Sequence, residues 1–332
     1  MDDALLNTLR SIVANATPLV IASLGETVNE RAGVINLSLD GSLALAAMAG
    51  FVAGLTTESI WVGLFAASIT GALVALLIAF ASIELRQDQV AVGFVLTILC
   101  ADLARFLGQD YTRISGPQIR RLEIPLLADI PFLGPVFFQQ NMIVYFSYIL
   151  VFVTWFWLFR TQPGMTQRAL GERPEAAFAR GVPVNRYRYL YTIVGGLLVG
   201  LAGAAYSLNV KPGLSNPPSM QGDGWIALAI VIFGGWHPFR VVFGAYLFAL
   251  LRAVSSDIQT NGLAIFGQDI EFNFVLLNGL PWTLMILSLL LVSSGSIERL
   301  LRMLPKPLQR RLRAFLRSDP PKAIGTRFDN DS

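Results

Sequence analysis

The sequence predicts an all-α integral membrane protein, a polytopic bundle of about nine transmembrane segments with broken or short helices in each half. Three observations carry that prediction. Of 332 residues, 54% are hydrophobic and only 14% charged, with a mean hydropathy of +0.58, where a soluble domain has roughly 25% charged residues. Apolar runs of about 20 residues, the length that crosses a bilayer core, recur along the whole chain. The basic residues are sorted between alternate loops, as they are on the two sides of a membrane.

The segments follow in order as Leu5–Leu24, Gly33–Leu55, Ile60–Ile83, Gln89–Leu107, Met142–Phe159, Tyr187–Leu208, Gly224–Gly235, Val241–Ile258 and Phe272–Val292. The acidic start MDDALLNTLR lacks the basic region of a cleavable signal. Between segments 1 and 2 stands GETVNERAGVINLSLDG, with Glu26, Glu30, Arg31 and Asp40 set between lipid-grade flanks. Glu26, Glu30 and Arg31 are expected at the hydrated end of segment 1, pairing with one another. Segment 7 is too short to span as a straight helix, and Pro281 interrupts segment 9. Gly195, Gly196, Gly200 and Gly203 give segment 6 a small-residue face for close packing.

Charge fixes the orientation. If the loops after segments 1, 3, 5 and 7 and the C-terminal tail share one side, eighteen of the 25 basic residues lie there and five lie opposite. The expectation is an N-terminus outside and a C-terminus in the cytoplasm. Residues 1–296 then form the transmembrane domain, with a cytoplasmic loop at 160–188. Residues 297–332 form a basic tail that lies against anionic headgroups rather than on nucleic acid.

Composition also narrows the chemistry. Cys100 and His237 are the only residues of their kinds, so thiolate metal sites and histidine triads have no material, and neither a metal nor a catalytic residue is expected. The three lysines, Lys211, Lys306 and Lys322, all lack the preceding glycine of a phosphate-binding loop. The chain is not expected to bind ATP or to be an enzyme.

The remaining polar residues within segments are candidates for a path. Asn36, Ser38 and Asp40, followed by Gly41, enter segment 2. A charge at mid-bilayer costs about 2.5–3.5 kcal/mol on insertion scales, so Asp40 should face protein or water. Paired short or glycine-interrupted segments in the two halves point to a substrate path of broken helices, here GVINLSLDG and GDGWIALAIVIFGG. Trp225 and Trp236 bracket the second of these, as interfacial anchors or, for Trp225, as a platform for a flat substrate. Asp102 and Arg105 stand one turn apart as a local pair. Arg252 lies deeper, five residues before Asp257, as a gate or pairing residue.

The loop RTQPGMTQRALGERPEAAFARGVPVNRYR carries the sharpest motif. Pro174 suits a first helical turn and Gly181 with Pro183 ends it, which predicts a helix of about two turns outside the membrane. EAAFARG fits E-A-A-x-x-x-G and resembles the loop of permease subunits in bacterial ATP-driven (ABC) importers. ALGERPEAAFARGV and GETVNERAGVINLSLDG resemble the branch that handles simple sugars, nucleosides and branched-chain amino acids. YTIV stands where the fuller pattern has I-x-L-P, which separates the chain from the maltose-type branch.

The resemblance implies the rest. Gly171, Glu172, Pro174, Glu175, Ala176, Ala177, Phe178 and Gly181 would form the coupling loop that meets a separate ATPase subunit, where the ATP is bound. A second permease chain, different but related, and an extracytoplasmic substrate-binding protein would complete the importer in the bacterial cytoplasmic membrane. Its cargo would be nucleosides, with simple sugars as the alternative and an ion-coupled secondary transporter as a more distant one.

Overall fold

Among the described residues of the computed structural model, seven helices are long and apolar enough to cross a membrane. Described are residues 3–216, 218–261, 263–265, 268–270 and 320–328, with single positions at Gly279, Thr283, Ile286 and Pro305. The ninth predicted segment, Pro281 and most of the basic tail lie outside the described residues. The helices are α1 (Asp3–Arg31), α2 (Leu39–Thr56), α3 (Ile60–Ala79), α4 (Gln89–Gly108), α5 (Met142–Arg160), α6 (Gln162–Glu172), α7 (Pro174–Phe178), α8 (Val184–Ala205), α9 (Asp223–Gly234) and α10 (Pro238–Asn261). A short antiparallel hairpin, β1 (Leu263–Ile265) with β2 (Gln268–Ile270), follows α10 in this otherwise helical bundle.

Two boundaries moved for a physical reason. The polar stretch GETVNER is not a break: Glu and Arg are good helix formers and nothing stops the helix before Gly33, whose φ is +88°. α1 therefore runs on to Arg31. The true break is 32–38, and α2 starts at Leu39, six residues later than predicted.

The core gathers α1, α2, α8, α9 and α10 around residues such as Leu24, Leu39, Phe51 and Ile226. The glycines of α8 let three neighbours approach it at once. A Cβ at Gly195 would strike Asn29 of α1, one at Gly196 or Gly200 would strike the backbone of α3, and one at Gly203 would stand 2.7 Å from the Leu43 carbonyl of α2. Without an apolar solvent effect between helices in lipid, such backbone proximity is a main source of packing energy. α3, α4 and α5 instead expose apolar side chains such as Phe65, Leu73, Val95 and Phe152, as a lipid-facing or subunit-facing surface does.

The two ends of the bundle differ. One end gathers Arg31, Arg168, Arg188, Arg240 and the 160–188 loop, and is here called the basic end. At the far end the 109–141 and 211–222 loops interlock. Arg113 N donates to the Leu214 carbonyl at 3.1 Å and Ile119 N to the Leu208 carbonyl at 2.9 Å.

Candidate functional site

The 32–38 loop turns back into the bundle instead of staying at its rim. Ile35 N donates to Gln89 Oε1 at the start of α4 (2.9 Å), and Thr97 Oγ1 of α4 donates to the Leu37 carbonyl (2.9 Å). Eight residues of helix separate Gln89 from Thr97, so α2 begins about 12 Å along α4 from the basic end. α9 is the second broken helix. Its 12 residues span about 18 Å, against roughly 30 Å for a hydrocarbon core. Gly222 and Gly235 bound it in the left-handed region, at φ +91° and +62°, where only glycine turns without strain.

The N-termini of these two broken helices meet. Asp40 Oδ1 accepts from Gly222 N (2.8 Å) and Gly224 N (3.1 Å). An anion is thereby held on the positive end of the α9 dipole, on amides that have no partner inside their own helix. Gly224 is obligatory here, because a side chain would collide with the backbone of Asp40. Asp223, 1% exposed, pairs with Arg252 of α10 through both terminal guanidinium nitrogens, Nη1 and Nη2, and Arg252 also lies over the Phe248 ring. Tyr206, buried at the end of α8, lies close to Asp223. Trp225, partly exposed, faces Phe94 of α4 with ring centroids 6.1 Å apart. The junction thus offers a carboxylate, a helix N-terminus and two aromatic faces at one place.

The opposite end of α9 is clasped by α1. Arg31 donates from Nε (3.1 Å) and Nη2 (3.0 Å) to the Trp236 carbonyl, and Trp236 Nε1 donates to Glu30. Glu26 accepts from Asn29 Nδ2 (2.8 Å) and from Asn36 N (2.9 Å). This corrects the sequence reading in two ways. Glu26 and Glu30 are 0% and 4% exposed rather than hydrated, and Trp236, 5% exposed, is a buried latch rather than an interfacial anchor. His237, outside the helices, packs on Phe159 at 5.1 Å. Burial, then the cations Arg240 and Arg31, lower its pKa to about 4, so it is neutral at pH 7.

At the basic end α7 stands as predicted in place but shorter, one turn over Pro174–Phe178, followed by a turn ending at Gly181 with φ +82°. Pro174 and Ala177 are buried, Glu175 and Ala176 are exposed and Phe178 is 43% exposed. α6 was not foreseen. Thr161 caps it by accepting from Gly164 N (3.1 Å), and it joins the α7 loop to α1. Gln167 Nε2 donates to the Val28 carbonyl (2.8 Å), and Gly171 is pressed against the Arg31 carbonyl. Glu172 ends α6.

Of the predicted path residues, the structure brings Asp40, Gly41 and Trp225 to the junction, with Arg252. Gly41 packs against the Thr97 backbone. Asn36 and Ser38 are buried behind Asp40 instead. Asn36 Oδ1 accepts from Ser38 N (3.0 Å) and Oγ (2.7 Å), and Ser38 Oγ meets Ser42 Oγ at 2.8 Å. Arg252 pairs with Asp223, 29 positions before it, which the spacing to Asp257 did not indicate. Asp102 and Arg105 form their local pair at 3.1 Å with half-exposed side chains, apart from the junction. Asp223, Tyr206 and Phe94 were missed. Among the described residues no cluster of His, Cys, Asp and Glu is fit to hold a metal.

Two helices whose N-termini meet inside an apolar bundle, one of them too short to cross it, together with a small helix in a basic loop, define a membrane transport protein of the permease class. The chain belongs to the ABC transporter permease family described as "Branched-chain amino acid transport system / permease component", which it matches over residues 8–294. It is similar to a Haloferax volcanii protein provisionally named as a glucose ABC transporter permease, at 38% identity over 77% of this chain and 79% of that one. It is also similar to the nucleoside ABC transporter permease NupC of Lactococcus lactis, at 33% identity over 86% of this chain and 94% of that one. A guanosine ABC transporter permease, NupQ of Bacillus subtilis, is 33% identical over 82% of this chain and 88% of its own length. This membership sets aside the ion-coupled reading.

Proposed function

We propose that this chain is the permease subunit of a nucleoside importer, and that its substrate passes the junction of α2 and α9. The observation that carries the reading is the Phe94–Trp225 aromatic pair beside Asp40. Two flat π-faces accept a nucleobase by stacking, and a carboxylate held at a helix N-terminus accepts hydrogen bonds from base or ribose. Two of the relatives above are named for nucleosides. A simple sugar is the second reading, favoured by the Haloferax volcanii relative, which is named for glucose.

Import is driven from the basic end. ATP binds a partner ATPase, whose closure moves α7 at Glu175, Ala176 and the exposed Phe178. α6 carries that movement to the C-terminal end of α1 through Gln167 and Gly171, and the Trp236 clasp carries it to α9. A second, related permease chain supplies the other wall of the path, and a binding protein delivers substrate at the far end. The distribution of basic residues supports a cytoplasmic basic end, an outward N-terminus and the bacterial inner membrane. Residues 1–296 act as the transmembrane domain, and the tail beyond 296 lies in the cytoplasm.

Uptake of labelled adenosine by cells with and without this gene, in the presence of excess ribose or glucose, tests the substrate. Loss of uptake on deletion, with no competition by either sugar, is expected. Unchanged adenosine uptake together with lost glucose or ribose uptake would transfer the assignment to sugars. Gly181→Arg tests the drive: the ATPase subunit should no longer co-purify with a permease that is still inserted.

A further inference from the structure

The C-terminal segment 320–328 returns to the bundle and bridges the end of α6 and the 32–38 loop. Ala323 N donates to the Gly171 carbonyl at the end of α6 (2.8 Å), and Gly325 N donates to the Gly33 carbonyl at the start of the 32–38 loop (3.1 Å). Two amides only two positions apart thus tie the α6–α7 loop to the loop that leads into the junction. The fit is close on both sides. A Cβ at Gly171 would meet Pro321 at 3.2 Å, one at Gly33 would meet the Ala323 carbonyl at 3.2 Å, and one at Gly325 would meet Ile35 at 3.0 Å. Gly325 itself has φ +71°.

Two side chains anchor the segment. Phe328 packs edge-on against Phe178 of α7, with ring centroids 5.5 Å apart. Arg188 of α8, 2% exposed, donates from Nη1 to the Thr326 carbonyl at 2.9 Å, and its Nε and Nη2 have no partner. A buried guanidinium is costly without acceptors, so the segment supplies a hydrogen bond that α8 needs.

The geometry points to residues 320–328 as a positioning strap, which transmits movement of the α6–α7 loop to the 32–38 loop and so to Asp40. The strap rests on the reading of α7 as the contact for the ATPase. It adds a second route beside the α6–α1 contact, one that reaches the junction loop directly through Gly33.

The test uses the complete importer in proteoliposomes, with binding protein, ATP and labelled adenosine. Three permeases are compared with the parent: one ending at Asp319, one carrying Gly325→Val and one carrying Phe328→Ala. The strap predicts that the ATPase subunit still co-purifies and hydrolyses ATP, while substrate imported per ATP falls about five- to tenfold, the lower range of coupling between sites. Unchanged import per ATP in all three overturns the strap. Loss of the ATPase subunit from the shortened chain overturns it too, because the segment would then be part of the docking surface. Should the shortened chain fail to insert, Phe328→Ala alone decides. The reading of α7 fails separately, if Gly181→Arg keeps the ATPase subunit.

Discussion

Replacing Asp40 tests the junction most directly, because its carboxylate is the common acceptor for two amides of another helix. Asp40→Asn keeps an oxygen at Oδ1 but loses the charge. The loss is the interaction of that charge with the α9 N-terminus, about 1–2 kcal/mol in a partly buried setting. Asp40→Ala removes the acceptor and leaves Gly222 N and Gly224 N unbonded. Hydrogen bonds to a charged group contribute about 1.5–3 kcal/mol each, and two to one oxygen do not add fully, which puts the loss at about 2–4 kcal/mol. At 1.4 kcal/mol per decade, these figures are roughly five- to thirtyfold for Asn and thirty- to seven-hundredfold for Ala in local opening. Hydrogen exchange of the peptide 218–228, followed by mass spectrometry on purified protein, reads that opening. Protection should fall in the order parent, Asn, Ala, while peptides of α3 and α8 keep theirs. Equal protection in the parent and the Ala variant would refute the cap, and with it the claim that α2 and α9 are joined through Asp40.

Other outcomes follow from the same geometry. Asp40→Asn should reduce uptake more than it reduces protein abundance, measured by transport assay and immunoblot on the same membranes. Trp225→Ala with Phe94→Ala should raise KM for adenosine by about tenfold, taking about 1–1.5 kcal/mol for lost aromatic contact, with insertion unchanged. Gly200→Leu has no room against the α3 backbone and should cost about 3 kcal/mol or more, seen as a lowered thermal midpoint in detergent. His237 binds its proton less readily in the folded chain, at about 4, than the ordinary value near 6.5. The stability it contributes is therefore complete above pH 6.5 and declines as pH falls toward 4. Part of that acid decline should disappear in His237→Gln, and an identical pH profile would count against it.

Much of this site was legible in the chain, and the reasons differ from residue to residue. Asp40 stood out because a carboxylate inside an apolar run must be satisfied by something other than lipid. α9 stood out because glycines bound a segment too short to cross. The α8 glycines repeat near helical spacing, so their shared packing role was visible. The burial of Glu30 was not, because its donor Trp236 lies 206 positions away and local composition shows only a polar stretch. GETVNER reads as a loop by polarity and as a helix by propensity, and propensity won because tertiary partners satisfied the charges. Phe94 looked like any aromatic on an apolar helix until Trp225 was set against it. The 320–328 segment carries two prolines and a glycine in a polar tail, with no signal that it returns to the bundle.

The two attachments of α9 are set by residues within ten positions of one another. Glu30 and Arg31 hold its C-terminal turn, Asp40 holds its N-terminus, and the 32–38 loop spans the gap between them. A 12-residue helix with its internal hydrogen bonds intact does not shorten or bend enough to absorb a displacement at one end. In the proposed cycle, a push delivered through α6 on the end of α1 would therefore break one attachment or the other. Glu30 and Trp236 of the clasp are buried, at 4% and 5% exposed, so water cannot replace the bond between them and breaking it leaves buried polar groups unsatisfied. Asp40 is partly exposed, and water or a polar substrate can take the place of either amide as it leaves. The junction is accordingly the weaker attachment, and under the proposed function a nucleoside hydroxyl or base edge substitutes there for the protein's own hydrogen bonds. Substrate binding and helix separation then favour each other, as a path that opens for its cargo requires.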